Sequence, residues 1–171
     1  MTNQEFFIET WKKEMPLTIN CIKQIPEDKW DWQPHAKTRT AKQLLDHFVS
    51  HAEDLVEGVS TAVINHRVMA HYASTKEAAA AFEEQSNKLL DLVSATTEAD
   101  WNEKNVPLMV FANKVGEASM RDMCWTFLHD IIHHRGQLSA YMRPMGTVNT
   151  YIYGPTAEMM EAMMAQQSNA Y

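Results

Sequence analysis

The sequence is poor in residues that make tight turns, with five glycines and six prolines among its 171 residues. Long stretches contain neither residue, which favours helices over a sheet with many turns. Long apolar segments are also missing: the run over residues 108–112 is among the longest, far below the roughly 18 residues that span a bilayer. The first residues do not resemble a signal peptide. We therefore expect a cytoplasmic protein with no membrane partner.

Cysteine and basic charge are scarce as well. Cys21 and Cys124 are the two cysteines, and their wide separation matches no short metal-binding or redox motif. We therefore predict two reduced thiols in the core. Fifteen lysines and arginines stand against 22 acidic residues, which gives a net charge of −7. Without a basic run to hold a phosphate backbone, nucleic acid is disfavoured as a partner.

What the sequence does contain is typical of a folded helical domain. Hydrophobic residues make up 45% and charged residues 22%, and the length fits a single domain over 1–171. Thr40, Ser74 and Ser119 each lie three residues before an acid or amide, as in a helix capping box. Helical spacing of apolar residues then predicts a first helix that buries Phe7, Trp11, Met15, Ile19 and Ile22 and kinks at Pro16, and further long helices over about 41–63, 76–94 and 120–142.

A shorter, Met-rich helix is predicted after Pro155. The segments 26–39, 65–73, 100–117 and 143–155 are predicted to be irregular connectors. The expected fold is therefore all-α: a four-helix bundle with long crossover loops and a short C-terminal helix.

Histidines cluster on two of the predicted helices. His47 and His51 lie one turn apart on the second helix, so they share a face. Either of them can reach into the bundle, since His47 lies at the edge of the apolar face and His51 nearer to its centre. In a bundle, such residues on facing helices can together bind a metal ion.

The fourth helix offers two competing pairs, His129/His133 and Asp130/His134. At about 100° per residue, His134 falls near the middle of the apolar stripe and Asp130 about 40° from it. His133 and His129 fall about 100° and 140° away. The pair predicted to face inward is therefore Asp130/His134.

A buried histidine and aspartate need partners, because unpaired buried polar groups are costly. Either they form a direct hydrogen bond or they share a divalent cation. With a histidine from the second helix, the set becomes two imidazoles and one carboxylate, which leaves coordination positions open as in catalytic sites. The same set also binds Fe(II) in oxygenases. The histidines of the connectors are interpreted as solvated and without a role: His35, His66 and His71.

Several segments together resemble the DinB/YfiT-like metalloenzyme family: WDWQP at 30–34, LLDHF at 44–48, DIIHHRGQL at 130–138 and YIYGPTA at 151–157. The resemblance covers most of the chain. It implies a four-helix bundle that holds one divalent metal ion, either Zn, Ni or Fe, through His47, Asp130 and His134. The pair His129/His133 remains the alternative.

The resemblance also implies a function. Related enzymes isomerise maleylpyruvate with mycothiol or transfer sulfur from bacillithiol, and a divalent ion can lower the pKa of a bound thiol or water. We therefore expect a metal-dependent S-transferase, isomerase or hydrolase that acts on a small molecule, with a low-molecular-weight thiol as a partner and His51 as a candidate base. The alternative is a non-catalytic stress-response or binding protein whose metal only braces the bundle. Relatives are often homodimers, so a homodimer is expected too.

Three residues of the matching segments receive structural interpretations. Gly136 interrupts a predicted helix, which close packing against another helix or a second subunit would explain. Arg135 is expected to form a salt bridge or a contact between helix and loop. Tyr153 is expected to belong to a turn that redirects the chain.

Overall fold

The computed structural model describes residues 1–149 and 151–168. Residue 150, in the predicted connector 143–155, and residues 169–171, at the end of the predicted domain, lie outside the described residues. Within the described part, six α-helices and three strands follow one another: α1 (Asn3–Lys23), α2 (Ala41–Thr61), β1 (Ile64–Asn65), α3 (Thr75–Ala95), α4 (Glu98–Glu103), β2 (Asn105–Val110), β3 (Asn113–Ser119), α5 (Met120–Met142) and α6 (Ala157–Ser168). A short 3₁₀-helix (Glu27–Lys29) lies between α1 and α2.

The long helices begin where their capping residues predict. At the start of α2, Thr40 Oγ1 accepts a hydrogen bond from the Gln43 backbone, and the Gln43 side chain accepts one from the Thr40 backbone. Ser74 and Ser119 each accept from the amide three residues later. α1 continues through Pro16. The four long helices therefore agree with the predicted ones to within a few residues.

The core lies between the four long helices. α1 and α2 each pack against both α3 and α5, which closes a ring around the buried side chains. The predicted inward residues are buried or half-buried in it. Cys21 and Cys124 are buried and unpaired, as predicted, and burial raises the pKa of the Cys21 thiol to about 12, so it is an inert thiol at neutral pH.

The prediction of an all-α fold was wrong, because the segment 100–117 is not an irregular connector. It contains part of α4 and the strands β2 and β3, which form an antiparallel hairpin. β1 pairs with β2 in parallel, so the sheet has the order β1-β2-β3. Phe111 and Ala112 make the turn with φ angles of 47° and 64°. Left-handed hairpin turns of this kind usually contain Asn-Gly, so the turn could not be predicted from the local sequence.

The sheet fixes the chain that leaves α2. β1 follows α2 after two residues, and the His66 backbone N–H donates to the Met109 carbonyl oxygen at 2.9 Å. The residues after β1 are thereby held beside α2, which places the His66 and Arg67 side chains near the middle of that helix.

The short C-terminal helix was predicted correctly. α6 is rich in methionine, and its exposed side chains include Met159, Met160 and Met163. The homodimer that such a surface allows stays a prediction. None of the helices within 1–149 and 151–168 combines the length and apolar character needed to cross a membrane.

Candidate metal centre

Three side chains from α2 and α5 converge at one point. His47 extends from α2, while Asp130 and His134 lie one turn apart on α5. Asp130 Oδ2 lies 3.6 Å from His47 Nε2 and 3.3 Å from His134 Nε2. Each residue offers a ligand atom within 4.8 Å of the other two. The structure thus brings together the three residues that the sequence analysis singled out.

The protonation states at this point suit a cation. Burial opposes ionisation of Asp130, but hydrogen bonds to His134, His47 and His51 outweigh it and hold the pKa of this carboxyl well below its usual range. Burial lowers the pKa of His47, and the hydrogen bond to Asp130 only partly offsets this effect. An ionised carboxylate and a neutral imidazole are the forms that bind metal ions.

Gln137 orients the ring of His134. Its Oε1 lies 2.8 Å from His134 Nδ1, and its Nε2 donates to His133 Nε2 at 2.9 Å. With the amide group held this way, His134 Nδ1 is the donor to Oε1. The lone pair of a neutral His134 is therefore on Nε2, which faces Asp130. Hydrogen bonds of this kind fix the tautomer of metal-binding histidines.

His51 lies between two carboxylates. Its Nε2 is 2.7 Å from Asp130 Oδ2, and its Nδ1 is 3.3 Å from Asp54 Oδ2. Burial acts to lower the pKa of His51, but the hydrogen bonds to Asp130 and Asp54 outweigh it and raise the pKa. An imidazole donates through both nitrogens only when it is protonated. The position of His51 is thus that of a donor that holds Asp130 in place.

Asp54 is a buried carboxylate with several donors. Its Oδ2 accepts from His66 Nδ1 at 2.7 Å, and its Oδ1 accepts from the Arg67 backbone at 3.2 Å and from Arg67 Nη1 at 2.7 Å. Burial opposes its ionisation, yet the hydrogen bonds from His51, His66 and Arg67 hold the pKa of Asp54 well below its usual range. His51, Asp54 and His66 are also spaced as metal ligands, but Arg67 already neutralises Asp54. We interpret this second group as the support of the first.

The prediction that His66 is solvated and without a role was wrong. Only 11% of its side chain is exposed, and its ring centroid lies 5.5 Å from that of His47. The connector was predicted to be irregular, and only the long-range pairing of β1 with β2 brings His66 to the site. His71 is 73% exposed and His35 is exposed, so the prediction that these two histidines are solvated is confirmed.

The alternative pair His129/His133 does not converge with a third ligand. Both residues are exposed, and neither belongs to a group in the described residues that is spaced to hold a metal ion. The His129 ring lies against Trp125, with centroids 5.7 Å apart. Both histidines instead line a cavity next to Asp130.

Two cavities open at the candidate ligands. The first has a volume of about 420 Å³ and is lined by Asp130, by His129 and His133, and by the apolar side chains of Leu108 and Phe127. The second has a volume of about 320 Å³ and is lined by other residues, among them His47 and Arg39. Both volumes are within the range of small-molecule sites.

The other residues of the matching segments have structural roles. Arg135 is 1% exposed and pairs with Glu14 at 2.6 Å, so the expected salt bridge is present. The Tyr153 hydroxyl accepts from Arg135 at 2.6 Å and donates to Glu14 at 2.8 Å, so Tyr153 also ties the C-terminal segment to α1 and α5. Close packing at Gly136 was a wrong expectation within the chain, because no described atom beyond its neighbouring residues and the adjacent backbone of α5 lies within 4 Å of the position of an added Cβ.

Comparison with known proteins relates the chain to one family and supports its fold. A sequence model of the DinB family matches residues 1–169. The chain is similar to the crystal structure of a DinB-like protein from Bacillus subtilis, with a TM-score of 0.65 and 14% identity over 88% of this chain and 99% of that chain. A DinB-like protein from Bacillus cereus has a TM-score of 0.69 and 17% identity over 87% and 97%. No curated protein matches the sequence. At these identities, the two structures support the fold alone.

Proposed function

Because the chain belongs to the DinB family, we propose that it is a metal-dependent enzyme in which His47, Asp130 and His134 hold one divalent ion, Zn, Ni or Fe. The ring of long helices is then the four-helix bundle of the family. The distances of 3.3 and 3.6 Å to Asp130 Oδ2 carry the proposal. Bonds of roughly 2.1 Å in a tetrahedral arrangement place ligand atoms about 3.4 Å apart. The donor atoms therefore fit around one ion.

The tautomer of His134 supports a cation at this point. With Nδ1 donating to Gln137, His134 Nε2 faces an ionised oxygen of Asp130 at 3.3 Å, and these two atoms attract each other only if a positive charge lies between them. A proton on Nε2 or a metal ion satisfies this requirement. The presence of His47 as a third ligand favours the metal ion, because a proton between His134 and Asp130 would need no further residue.

Hydrogen-bond distances distinguish His47 from His51 as the ligand of α2. His51 Nε2 lies 2.7 Å from Asp130 Oδ2, which is the length of a charge-assisted hydrogen bond and too short for two ligands of one tetrahedral ion. We assign His51 to positioning, with Asp54 holding its far nitrogen. The site thus has three ligands and an ordered support behind them.

Three protein ligands leave positions open, which is typical of catalytic sites. A divalent ion there lowers the pKa of a bound thiol or water and so supplies a nucleophile at neutral pH. We propose S-transfer, isomerisation or hydrolysis of small molecules whose reacting groups reach the ion from the two cavities. Leu108 and Phe127 give the cavity of about 420 Å³ an apolar lining. His51 is a poor base because both its nitrogens are engaged. His129 lines the cavity and is the better acceptor for a proton.

Metal analysis of purified variants tests the proposal. Protein purified without a nickel column, depleted with a chelator and titrated with Zn²⁺, is expected to bind one equivalent. His47→Ala, Asp130→Ala and His134→Ala should each lose this binding, because each removes one of three ligands. The matched control His129→Ala should keep the metal. Retention of metal by all three ligand variants, with intact circular dichroism, would disprove the site.

An activity assay distinguishes the proposed enzyme from the alternative function. In that alternative, the chain is a binding or stress-response protein and the metal only braces α2 against α5. The metal-loaded protein is incubated with a panel of low-molecular-weight thiols and electrophiles. We expect thiol consumption that fails in His134→Ala and is slowed in His129→Ala, which retains the metal. The bracing role would be favoured if the metal-loaded protein shows no activity with any compound tested but melts at a higher temperature than its metal-free form.

A further inference from the structure

Arg39 differs from the other arginines of the chain. Arg67, Arg121, Arg135 and Arg143 each form an ion pair with an acidic side chain, whereas Arg39 has none among the described residues. Acidic residues outnumber basic ones by 22 to 15, so carboxylates are not in short supply. The guanidinium group of Arg39 is therefore available to a negatively charged ligand.

That charge faces the candidate metal centre. Arg39 lines the cavity of about 320 Å³ together with His47, the candidate ligand of α2. The backbone is fixed on both sides: the Arg39 carbonyl accepts from the Tyr141 hydroxyl at 3.4 Å, and Thr40 caps α2. A backbone held in place by hydrogen bonds and an exposed guanidinium group together suit ligand binding.

The other positive groups near this cavity are already engaged. The first amides of α2 donate to carbonyls, from Ala41 to Trp32 at 2.9 Å and from Lys42 to Trp30 at 3.0 Å. The Lys42 ammonium pairs with Asp46, and His71, which also lines the cavity, has its Nδ1 3.2 Å from Asp46 Oδ2. The start of the helix therefore offers no free amide for an anion, and the binding of a negative group falls to Arg39.

We propose that Arg39 binds a carboxylate of the substrate, so that the enzyme acts on small molecules with a carboxylate at one end and the reacting group at the metal ion. A guanidinium pairs with a carboxylate through two parallel hydrogen bonds. Asp46 lines the same cavity, but its carboxylate is already paired with Lys42, so it opposes a bound anion only weakly. The inference rests on the proposed metal site and adds the class of substrate.

Mercapto acids and their amides provide matched probes. Protein loaded with Co²⁺ is titrated with mercaptoacetate, 3-mercaptopropionate and 4-mercaptobutyrate and with the neutral amide of each, and the thiolate-to-cobalt absorption band reports binding at the metal. At least one acid should bind about tenfold more tightly than its amide, as expected for a charge-assisted pair. Arg39→Gln should abolish this preference and leave the affinity for the amide unchanged.

Arg121→Gln is the matched control, since it removes the same charge from an exposed arginine at the start of α5 and should keep the preference. Cobalt stoichiometry verifies that each variant retains its site. If wild-type protein binds acid and amide equally, or if Arg39→Gln keeps the preference, the assignment of Arg39 is wrong while the metal site stands. If no probe produces the band on cobalt-loaded protein, the proposed thiol chemistry fails, and this inference fails with it.

Discussion

The side chain of Asp54 shows how a single residue supports the site. It is fully buried, and its oxygens accept hydrogen bonds from His51, His66 and Arg67. A buried carboxylate is costly unless it is paired, and removal of one partner leaves the opposite charge buried without compensation. Asp54 therefore stabilises the loop after β1 and orients His51 at the same time.

We expect Asp54→Asn to lower the free energy of unfolding by about 3–5 kcal/mol, the usual cost of breaking a buried ion pair. Urea denaturation of the metal-free protein measures it. The control Glu84→Gln loses an exposed pair with Lys88 and should cost less than about 1 kcal/mol. Equal effects of the two substitutions would mean that Asp54 contributes no more than a surface charge.

The pH dependence of that difference has a definite sign. The pKa of Asp54 is lowered in the folded protein, so the stabilisation it provides is complete above its unfolded pKa of about 3.9. It is lost as the pH falls towards the folded pKa. The gap in stability between wild type and Asp54→Asn should therefore narrow below about pH 4. A gap that widens in acid would contradict the ionised state of Asp54.

At the residue scale, the count of 100° per residue predicted that His134 faces inward, and His134 is 7% exposed. That count depends only on the geometry of one helix. The partners of the ring, Gln137 and Asp130, depend on side-chain rotamers that periodicity does not determine. The sequence indicates a contact between Asp54 and His51 only weakly, through the spacing of three residues that places both on the same face of α2.

Two glycines illustrate how the elements approach each other. At Gly58 in α2, an added Cβ would lie 2.7 Å from Ile64 Cγ1, so the helix and β1 touch at a position that only glycine fits. At Gly136 in α5, an added Cβ would meet no described atom within 4 Å beyond its neighbouring residues and the adjacent backbone of α5. One glycine is required by packing in this chain, and the other is not.

Alanine substitutions should therefore have opposite effects. Gly58→Ala should destabilise the protein by about 1–3 kcal/mol through overpacking against Ile64. Gly136→Ala should stabilise it by up to about 1 kcal/mol, because alanine favours the helix and meets no obstacle. Chemical denaturation of the two variants compares them directly. Destabilisation by Gly136→Ala would indicate that a second subunit packs there, as the homodimer prediction allows.

The elements differed in how far they could be predicted. Helix starts depend on local capping, so Thr40, Ser74 and Ser119 located them from sequence alone. The hairpin β2–β3 turns at Phe111 and Ala112 without a glycine, and β1 has two residues. Strands this short are determined by their partners along the chain and not by their own pattern. The error at His66 followed directly from the missed sheet.

At the scale of the whole molecule, we expect the proposed metal ion to make the melting temperature depend on pH. Imidazole ligands bind metal only when neutral, so protons compete with the ion as the pH falls. The pKa of His47 is lowered, so this ligand should remain available somewhat below the ordinary histidine value of about 6.5. The rise in melting temperature on adding Zn²⁺ should therefore be full at neutral pH and disappear in moderately acidic buffer.

Differential scanning fluorimetry with and without Zn²⁺ across this pH range measures the rise. His134→Ala, which lacks a ligand, should show no rise at any pH. A zinc-dependent rise that persists unchanged into acid, or that survives in His134→Ala, would place the ion elsewhere on the protein.

The ligands come from helices far apart in the sequence, and this separation has a consequence for folding. Asp130 and His134 are neighbours on α5, but His47 joins them only after α2 has docked against α5. Before this docking, the proposed site consists of the two residues on α5, which hold an ion less tightly than three ligands do. Binding of the proposed ion should therefore follow the packing of α2 against α5, and metal content per polypeptide should report the fraction of correctly folded molecules.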